Sequence, residues 1–254
     1  MCGRYTLTSA PEAIRALFRY DEQPNFPPRH NIAPTQPIGI VRMVEGKRQF
    51  ALVRWGFLPS WVKDPKTFAL LINARGESVI EKPAFRAAMK RRRCLIPADG
   101  FYEWQARDKR KQPFYVRAKG GGPLAFAGLW ETLVGPNGEE LETAAIVTTD
   151  ANRTLAPIHE RMPVVVPPEA FDLWLDCDKV DAQTAAALIA PAPDDLLEAY
   201  EISTAVNRTA NDGARLIEPL GRDTEQESVP PPAPKRAAVK KRAAKNGGGQ
   251  GVLF

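Results

Sequence analysis

Short apolar runs, separated by turn-forming segments, are the sequence feature that most restricts the fold of this chain. Each run has the length of a single strand, and residues 45–48, between the first two runs, predict a hairpin turn. Glycine and proline also mark turns at residues 120–123 and 135–138. The chain therefore reads as β-rich, with strands predicted at residues 38–44, 49–55, 94–97, 101–105, 113–118, 124–130 and 144–149.

Helical patterns are fewer and lie scattered among these runs. Pro11 in a first turn, with Thr8 or Ser9 as the N-cap, predicts a helix over residues 11–19. Because strands and helices do not alternate regularly, the pattern argues against a doubly wound parallel sheet. We predict an α+β fold, in which one β-rich domain over residues 2–222 carries flanking helices. The remaining elements are helices expected at residues 83–92, 169–175 and 182–189 and a strand at 201–204.

The composition changes near residue 225. Residues 228–254 contain six Lys and Arg residues and no acidic residue, so this segment carries the basic excess behind the net charge of +5. It has few large apolar side chains, and it cannot bury enough surface to offset the entropy of ordering. We therefore predict a disordered basic tail, rich in Pro, Ala and Lys, over residues 223–254.

Cysteine and histidine usage restricts the compartment and the cofactors. Cys2, Cys94 and Cys177 are too few and too scattered for a disulfide framework. No apolar run is long enough to span a membrane, and no signal-peptide pattern is present. The cysteines and the two histidines lack the spacing of zinc ligands. We expect a cytoplasmic protein with no membrane association, no metal and no cofactor.

The second residue gives the chain an unusual chemical option. If Met1 is removed, Cys2 carries a free α-amine and a thiol on adjacent carbons. The amine of such a 1,2-aminothiol condenses with an aldehyde to an imine, and the thiol then closes a thiazolidine ring. Both groups titrate near neutral pH, at about 8 and about 8.5, so modest tuning makes both reactive.

Six segments, taken in order, resemble the SOS response-associated peptidase (SRAP) family over residues 2–220. Each segment is weakly informative alone, and the ordered set is highly specific. The chain departs from the family pattern at His30, where another aromatic is usual, and at Gly76, where a bulkier residue is common. The segments are Met-Cys-Gly-Arg-Tyr at 1–5, Asn-Ile-Ala-Pro-Thr at 31–35, Trp-Gly-Phe-Leu-Pro-Ser-Trp at 55–61 with Asn-Ala-Arg-Gly-Glu at 73–77, Pro-Ala-Asp-Gly-Phe-Tyr-Glu-Trp at 97–104, Ile-His-Glu-Arg-Met-Pro at 158–163, and Ser-Thr-Ala-Val-Asn at 203–207 with Asn-Asp-Gly at 211–213.

This resemblance implies a function and a set of catalytic residues. Family members bind single-stranded DNA and capture abasic sites, and the mature N-terminal cysteine forms a thiazolidine with the ring-opened sugar aldehyde. The covalent product shields the lesion. The family name also records a peptidase activity connected with removal of the residue before the cysteine. The positions that match the family's catalytic residues are Cys2, Asn73, Glu103 and His159.

The residue types agree with this chemistry. Imine formation loses water and needs a proton donor and acceptor, and Glu103, between aromatic neighbours, is in a setting that raises the pKa of a carboxyl. His159 has an ordinary pKa of about 6.5, which suits proton transfer to the sugar ring oxygen. The amide of Asn73 would hold the sugar or orient the N-terminal amine.

DNA contacts are expected from three further side chains. Arg4 and Arg75 would bind phosphates through charge-assisted hydrogen bonds. Trp61 would stack on a base beside the lesion, worth roughly 1–3 kcal/mol. Trp55 ends a predicted strand and is assigned to the core. The basic run at residues 90–93 is interpreted as the solvated end of a helix.

The last five residues follow the pattern Gln-x-x-Leu-Phe, which resembles the peptides that bind the bacterial sliding clamp. Leu253 and Phe254 would fill an apolar pocket and Gln250 would hydrogen-bond beside it. We expect a nucleoid-associated monomer. Two alternatives stay open at this point: a peptidase with Cys2 as nucleophile and His159 or Glu103 as base, and a noncovalent single-stranded DNA-binding module.

Overall fold

The computed structural model of the protein describes residues 2–108, 110–135 and 137–221, and most of its regular structure is strand. The β-rich α+β prediction is confirmed. The strands are β1 Tyr5–Leu7, β2 Arg29–Ile32, β3 Pro37–Val44, β4 Lys47–Trp55, β5 Asn73–Arg75, β6 Arg93–Ala98, β7 Gly100–Arg107, β8 Arg110–Ala118, β9 Leu124–Val134, β10 Glu140–Asp150, β11 Arg161–Pro163 and β12 Leu197–Glu201. The α-helices are α1 Pro11–Phe18, α2 Arg86–Arg91, α3 Phe171–Leu175 and α4 Ala182–Ala186.

One antiparallel sheet has the order β12-β8-β7-β1-β2. Within it, Tyr5 of β1 pairs with Phe101 of β7. The pairing continues toward the N-terminus, because the Tyr102 backbone N–H donates to the Arg4 carbonyl at 3.0 Å. Antiparallel strands run in opposite directions, so the residues before Arg4 are directed toward the residues after Tyr102.

The second sheet closes on itself. β3 pairs with β4 and β6, β6 with β9, and β9 with β10, and a short parallel pairing between β10 and β4 completes the ring. β5 and β11 attach to β10 outside the ring. The predicted hairpin is confirmed as β3–β4. Its turn residues Glu45 and Gly46 both have positive φ angles, 49° and 74°, which matches the twist of the flanking strands.

The core lies where the two sheets face each other. Tyr5 and Phe101 of the first sheet pack edge-on against Trp55 and Phe126 of the second, with ring centroids 5.3 and 5.8 Å apart. Such pairs contribute about 0.5–1.5 kcal/mol each beyond the area they bury. The assignment of Trp55 to the core is confirmed, since it is fully buried and its Nε1 donates to the Ile72 carbonyl at 3.0 Å.

Two local predictions were wrong, for identifiable reasons. Thr8 and Ser9 do not cap α1, because Ala10 occupies the N-cap position and the hydroxyls of Thr8 and Ser9 instead donate to the Asp99 carboxylate, at 3.2 and 2.5 Å. The strand predicted at residues 201–204 ends at residue 201 instead. The Ser203 hydroxyl accepts from the Ala205 backbone N–H at 3.2 Å and starts a 3₁₀ turn there.

The basic run at residues 90–93 is not simply a solvated helix end. Arg93 is buried, and its guanidinium donates to four backbone carbonyls. These carbonyls lie in the last turns of α2 and α3 and in the turn after α3. Carbonyls at a helix C-terminus have no donor within the helix, and the arginine supplies donors to them. The four carbonyls belong to Met89, Trp174, Asp176 and Val180.

Among the described residues no helix is long and apolar enough to cross a membrane. The predicted tail, residues 223–254, lies outside the described residues, and so do the candidate clamp-binding residues Gln250, Leu253 and Phe254. The domain boundary at residue 222 stays a prediction.

Candidate active site

Cys2 lies at the start of the first sheet and is fully buried. Its Sγ lies 3.9 Å from the Arg4 carbonyl, and its own carbonyl accepts a hydrogen bond from Asn73 Nδ2 at 3.0 Å. Burial raises the pKa of the thiol far above its usual range, and the negative charge of Glu103 raises it further. The thiol is therefore held in its neutral form next to a carboxyl group.

Asn73 reaches this point from the second sheet. It begins β5, which pairs in parallel with β10 through Ile146. While its Nδ2 donates to Cys2, its Oδ1 is buried and has no hydrogen-bond partner within the described part of the chain. A buried amide oxygen without a partner is costly, and such positions are frequently functional. Asn73 thus offers an acceptor close to Cys2.

Glu103 is carried by β7 and is almost fully buried. Burial raises the pKa of its carboxyl to about 7, although a hydrogen bond from the Trp104 backbone N–H acts in the opposite direction. The prediction that its surroundings would raise the pKa of Glu103 agrees with this shift. A group with a pKa near the ambient pH both donates and accepts protons efficiently.

His159 follows a tight turn that ends just before β11. Asn152 closes this turn, because its Oδ1 accepts from the Leu155 backbone N–H at 3.0 Å and its Nδ2 donates to the Ala192 carbonyl at 3.0 Å. The ring of His159 is half-buried, and burial lowers its pKa below 6.5. Its Nδ1 accepts a hydrogen bond from the Arg161 backbone N–H at 2.9 Å.

Glu103 and His159 line the same cleft, which has a volume of about 390 Å³ and is also lined by Trp104, Lys111 and Asn207. The indole of Trp104 is fixed by a 2.8 Å hydrogen bond from its Nε1 to Asn207 Oδ1. The cleft thus combines an acid–base pair, a flat aromatic wall and a cation, an arrangement able to take a nucleotide-sized, anionic ligand.

The three predicted DNA-binding residues occupy different settings. Arg4 Nη1 already donates to Asn31 Oδ1 at 2.7 Å and to the Val206 carbonyl at 2.9 Å, which gives it a structural role as well. Arg75 is exposed, two residues after Asn73. Trp61 is 58% exposed and packs edge-on against Phe68, but it is not among the side chains that line the cleft.

Sequence reasoning missed the residues that hold these groups in place. Arg161 is buried and binds Glu77 through two hydrogen bonds, of 2.6 and 2.9 Å. Asn31 is also buried, and its Nδ2 donates to three carbonyls of the segment 206–211. Arg161, Glu77 and Asn31 all lie inside the six segments that carried the family resemblance. Their position in those segments was the available signal, but only the fold shows which partners they hold.

The described residues contain no group of three or more His, Cys, Asp and Glu side chains that could hold a metal ion. Glu103 and His159 supply the carboxyl and the imidazole of the cleft lining, and Cys2 and Asn73 contact each other within electrostatic reach of Glu103.

The family profile described as SOS response associated peptidase (SRAP) matches residues 1–209. The chain belongs to this family. The abasic site processing protein YoqW of Bacillus subtilis is 39% identical over 222 residues, which cover 86% of this chain and 99% of the relative. The abasic site processing protein HMCES of Xenopus tropicalis is 31% identical, over 83% of this chain and 76% of the relative.

A crystal structure of a protein from Bacteroides thetaiotaomicron shares the fold of this SRAP chain. Its TM-score is 0.75 at 23% identity, and the match covers 86% of this chain and 100% of the other. The presence of glycine at position 76, where a bulkier residue is common in the family, has a local explanation. A Cβ at this position would collide with the Cγ2 of Ile189, so another side chain already fills that space.

Proposed function

We propose that this protein processes abasic sites in single-stranded DNA by forming a covalent thiazolidine crosslink through Cys2 after removal of Met1. Two kinds of support exist. Relatives that match almost the whole domain are named abasic site processing proteins. The observation that carries the proposal is the contact between Asn73 and Cys2, at a buried position where burial and then the charge of Glu103 raise the pKa of the thiol.

The proposed reaction balances as a condensation. The neutral Cys2 amine attacks the aldehyde carbon of the ring-opened sugar, and the resulting carbinolamine loses water to give an imine. The thiol then adds across the C=N bond. A carbon–sulfur bond forms, the thiol proton ends on the nitrogen, and one water is released overall. Ring closure is intramolecular, so it proceeds without a permanently ionised thiol.

Glu103 is assigned the proton transfers at the reacting carbon. With a pKa of about 7, it is present in both forms at neutral pH. The acid form protonates the departing hydroxyl of the carbinolamine, and the carboxylate then accepts the proton of the thiol. The unpaired Oδ1 of Asn73 is assigned to the Cys2 amine, whose N–H it would accept.

His159 is assigned to opening of the sugar ring, since it lines the same cleft as Glu103. Arg4, Arg75 and Trp61 are proposed to contact the DNA strand, with phosphates taken by the arginines and a base by the indole. The exposure of Arg75, close to Asn73 in the sequence, agrees with a phosphate contact.

The peptidase alternative has less support in the site. A cysteine peptidase needs a thiolate, which a neighbouring histidinium stabilises. Here burial raises the pKa of the Cys2 thiol and lowers that of His159, so both groups are biased toward their neutral forms. Amine-first capture of an aldehyde tolerates this state better than thiolate attack on a peptide.

The test is a denaturing gel of the Met1-free protein, confirmed by intact mass, with single-stranded DNA that carries one abasic site. Wild type is expected to give a slow-migrating covalent band, and Cys2→Ala none. Cys2→Ser keeps the amine and loses the thiol, so it should give a band only when borohydride reduces the imine. Cys177→Ser, a thiol elsewhere in the chain, serves as the matched control and should crosslink normally.

A wild-type protein that binds the DNA but never gives a covalent band would overturn the proposal in favour of the noncovalent module. Release of peptide products in the absence of DNA would favour the peptidase alternative. A stable, unreduced band from Cys2→Ser would show that the thiazolidine is not the product.

We further propose that residues 223–254 act as a separate basic tail that engages the bacterial sliding clamp through Gln250, Leu253 and Phe254. The basic residues would add salt-sensitive attraction to DNA. Removal of residues 250–254 should abolish clamp binding in a pull-down and leave crosslinking by the domain unchanged. Clamp binding that persists without them would refute this proposal.

A further inference from the structure

The imidazole of His159 is bound at one ring nitrogen by a backbone group. Its Nδ1 accepts the N–H of Arg161, two residues further along, at 2.9 Å. A ring nitrogen that accepts an N–H donor carries no proton of its own. The neutral ring that makes this bond therefore has its proton on Nε2. Protonation to the imidazolium would place two donors face to face and break the contact.

Arg161 is an unusually well-fixed donor. Its buried guanidinium binds the Glu77 carboxylate through Nη1 at 2.6 Å and Nη2 at 2.9 Å, in the two-pronged geometry that arginine favours. Nη1 also donates to Asp150 at 2.7 Å, and Nη2 to the Thr148 carbonyl at 2.9 Å. These partners lie on β10 and in the turn directly after β5.

This arrangement ties the His159 segment to the segment that carries Asn73. Thr148 pairs with Arg75 in the sheet, and Asp150 pairs with Arg161 itself. Displacement of the Arg161 backbone would break the bond to His159 and would require the guanidinium to leave a buried position in which both Nη atoms are hydrogen-bonded. Such a displacement is costly, because it strands charges away from water.

We propose that the Glu77–Arg161 pair is a positioning device that fixes His159 as its neutral Nε2–H tautomer, so that the ring presents a hydrogen-bond donor to the cleft. Neither residue is assigned a contact with substrate. The tautomer itself follows from the geometry, and only its catalytic consequence rests on the proposed function.

Several charges act on the imidazole from the surrounding elements. Glu103 of β7 and Lys111 of β8 share the cleft with it. Burial lowers the pKa of His159, the neighbouring Glu160 raises it, and the positive charge of Arg161 lowers it. Loss of the Arg161 N–H contact would remove the geometric reason for an unprotonated Nδ1, independently of these charges.

The first test is spectroscopic and needs no DNA. The chain has only two histidines, His30 and His159, so ¹⁵N-histidine labelling gives two resolvable rings, which the His30→Asn variant assigns. Two-bond ¹H–¹⁵N correlation spectra report which ring nitrogen carries the proton. Wild type should show His159 with the proton on Nε2 across neutral pH. A ring protonated on Nδ1, or an even mixture, would overturn the proposal.

The second test breaks the pair without touching the imidazole. Glu77→Ala should yield a mixture of His159 tautomers and move its titration to higher pH, whereas Glu77→Asp keeps a carboxylate and should restore part of the wild-type spectrum. Glu198→Gln breaks a more exposed Glu–Arg pair that has a single contact, to Arg117 Nε at 2.7 Å, and is the control for loss of a carboxylate charge. A Glu77→Ala spectrum identical to wild type would refute the positioning role.

The catalytic consequence is measured separately as the pH dependence of the crosslinking rate. Glu77→Ala should slow crosslinking by about tenfold near neutral pH, a part of the roughly 10²–10⁴-fold that general acid–base groups contribute. It should also shift the acidic limb of the profile to higher pH. If wild type forms no crosslink, the proposed function fails while the spectra still decide the tautomer. An altered spectrum with an unchanged rate profile would refute the catalytic part alone.

Discussion

Replacement of Glu103 by glutamine isolates the electrostatic cost of this site. Glutamine has nearly the shape of a protonated carboxyl group and does not ionise. Any difference between the variant and wild type that depends on pH therefore reports ionisation of Glu103. Differences in packing or hydrogen bonding add an offset that is the same at every pH.

The expected magnitude follows from the position of the carboxyl. Burial raises the pKa of Glu103 from 4.5 to about 7. Because each pH unit is worth about 1.4 kcal/mol, ionisation in the folded chain costs roughly 3 kcal/mol more than in the unfolded chain. The folded state binds this proton more tightly, so the stability it contributes is complete below pH 4.5 and is lost as the pH rises through 7.

Urea denaturation of both proteins from pH 4 to pH 8.5 measures this difference. The free energy of unfolding of Glu103→Gln, relative to wild type, should increase by roughly 3 kcal/mol between the acidic and alkaline ends. Intact mass must confirm the same N-terminus in both samples. A difference that stays constant over this range would refute the raised pKa and, with it, the acid–base assignment of Glu103.

Glu77→Gln provides a control of opposite sign. Hydrogen bonds from Arg161 lower the pKa of Glu77, so its contribution to stability is present above its unfolded-state pKa and is lost as the pH falls. The variant should be less stable than wild type at neutral pH, and the gap should narrow in acid. Identical pH trends for the two variants would show that the measurement is not resolving individual carboxyl groups.

Three structural substitutions should lower the free energy of unfolding, measured by urea denaturation at pH 7. Arg93→Met removes the donor to four buried carbonyls and should cost about 3 kcal/mol or more; a loss below 1 kcal/mol would contradict the assigned role. Asn31→Ala leaves three carbonyls without its amide and should cost about 2 kcal/mol. An unchanged free energy of unfolding would mean that water replaces the amide. Gly100→Ala places a Cβ against the Tyr115 hydroxyl and 2.6 Å from the Val116 carbonyl, and should cost about 1–3 kcal/mol that Tyr115→Phe does not restore, because the backbone clash remains.

Local sequence signals predicted the hairpin and seven of the twelve strands among the described residues, because those longer elements depend on nearby residues, whereas the short strands β1, β2, β5 and β11 were not predicted. The turn at Glu45 and Gly46 needs two positive φ angles, and glycine supplies one of them at little cost. The closure of the second sheet was not predictable in the same way. It depends on β10 pairing with both β9 and β4, and such long-range registers leave no local pattern.

In the site, too, features set by nearby residues were predictable and features set by residues distant in the chain were not. The aromatic neighbours of Glu103 indicated a desolvated carboxyl, and the raised pKa agrees with that reasoning. By contrast, Asp99 accepts hydrogen bonds from the hydroxyls of Thr8 and Ser9, and a cap pattern in the sequence carries no information about a partner that is so distant in the chain. The burial of Arg93 was hidden for the same reason, since its carbonyl partners come from separate segments.

The packing of one core side chain links the two halves of the site. Tyr5, three residues after Cys2, packs edge-on against Trp55 at 5.3 Å, and Trp55 Nε1 donates to the carbonyl of Ile72. Ile72 directly precedes Asn73, whose amide returns to the Cys2 carbonyl at 3.0 Å. The indole of Trp55 therefore spaces the strand that begins at Tyr5 from the strand that begins at Asn73. Because packed interiors transmit strain rather than absorb it, a change in that indole would move the Asn73 amide relative to Cys2. The geometry around Cys2 thus depends on the interface between the sheets as well as on the residues that line the cleft.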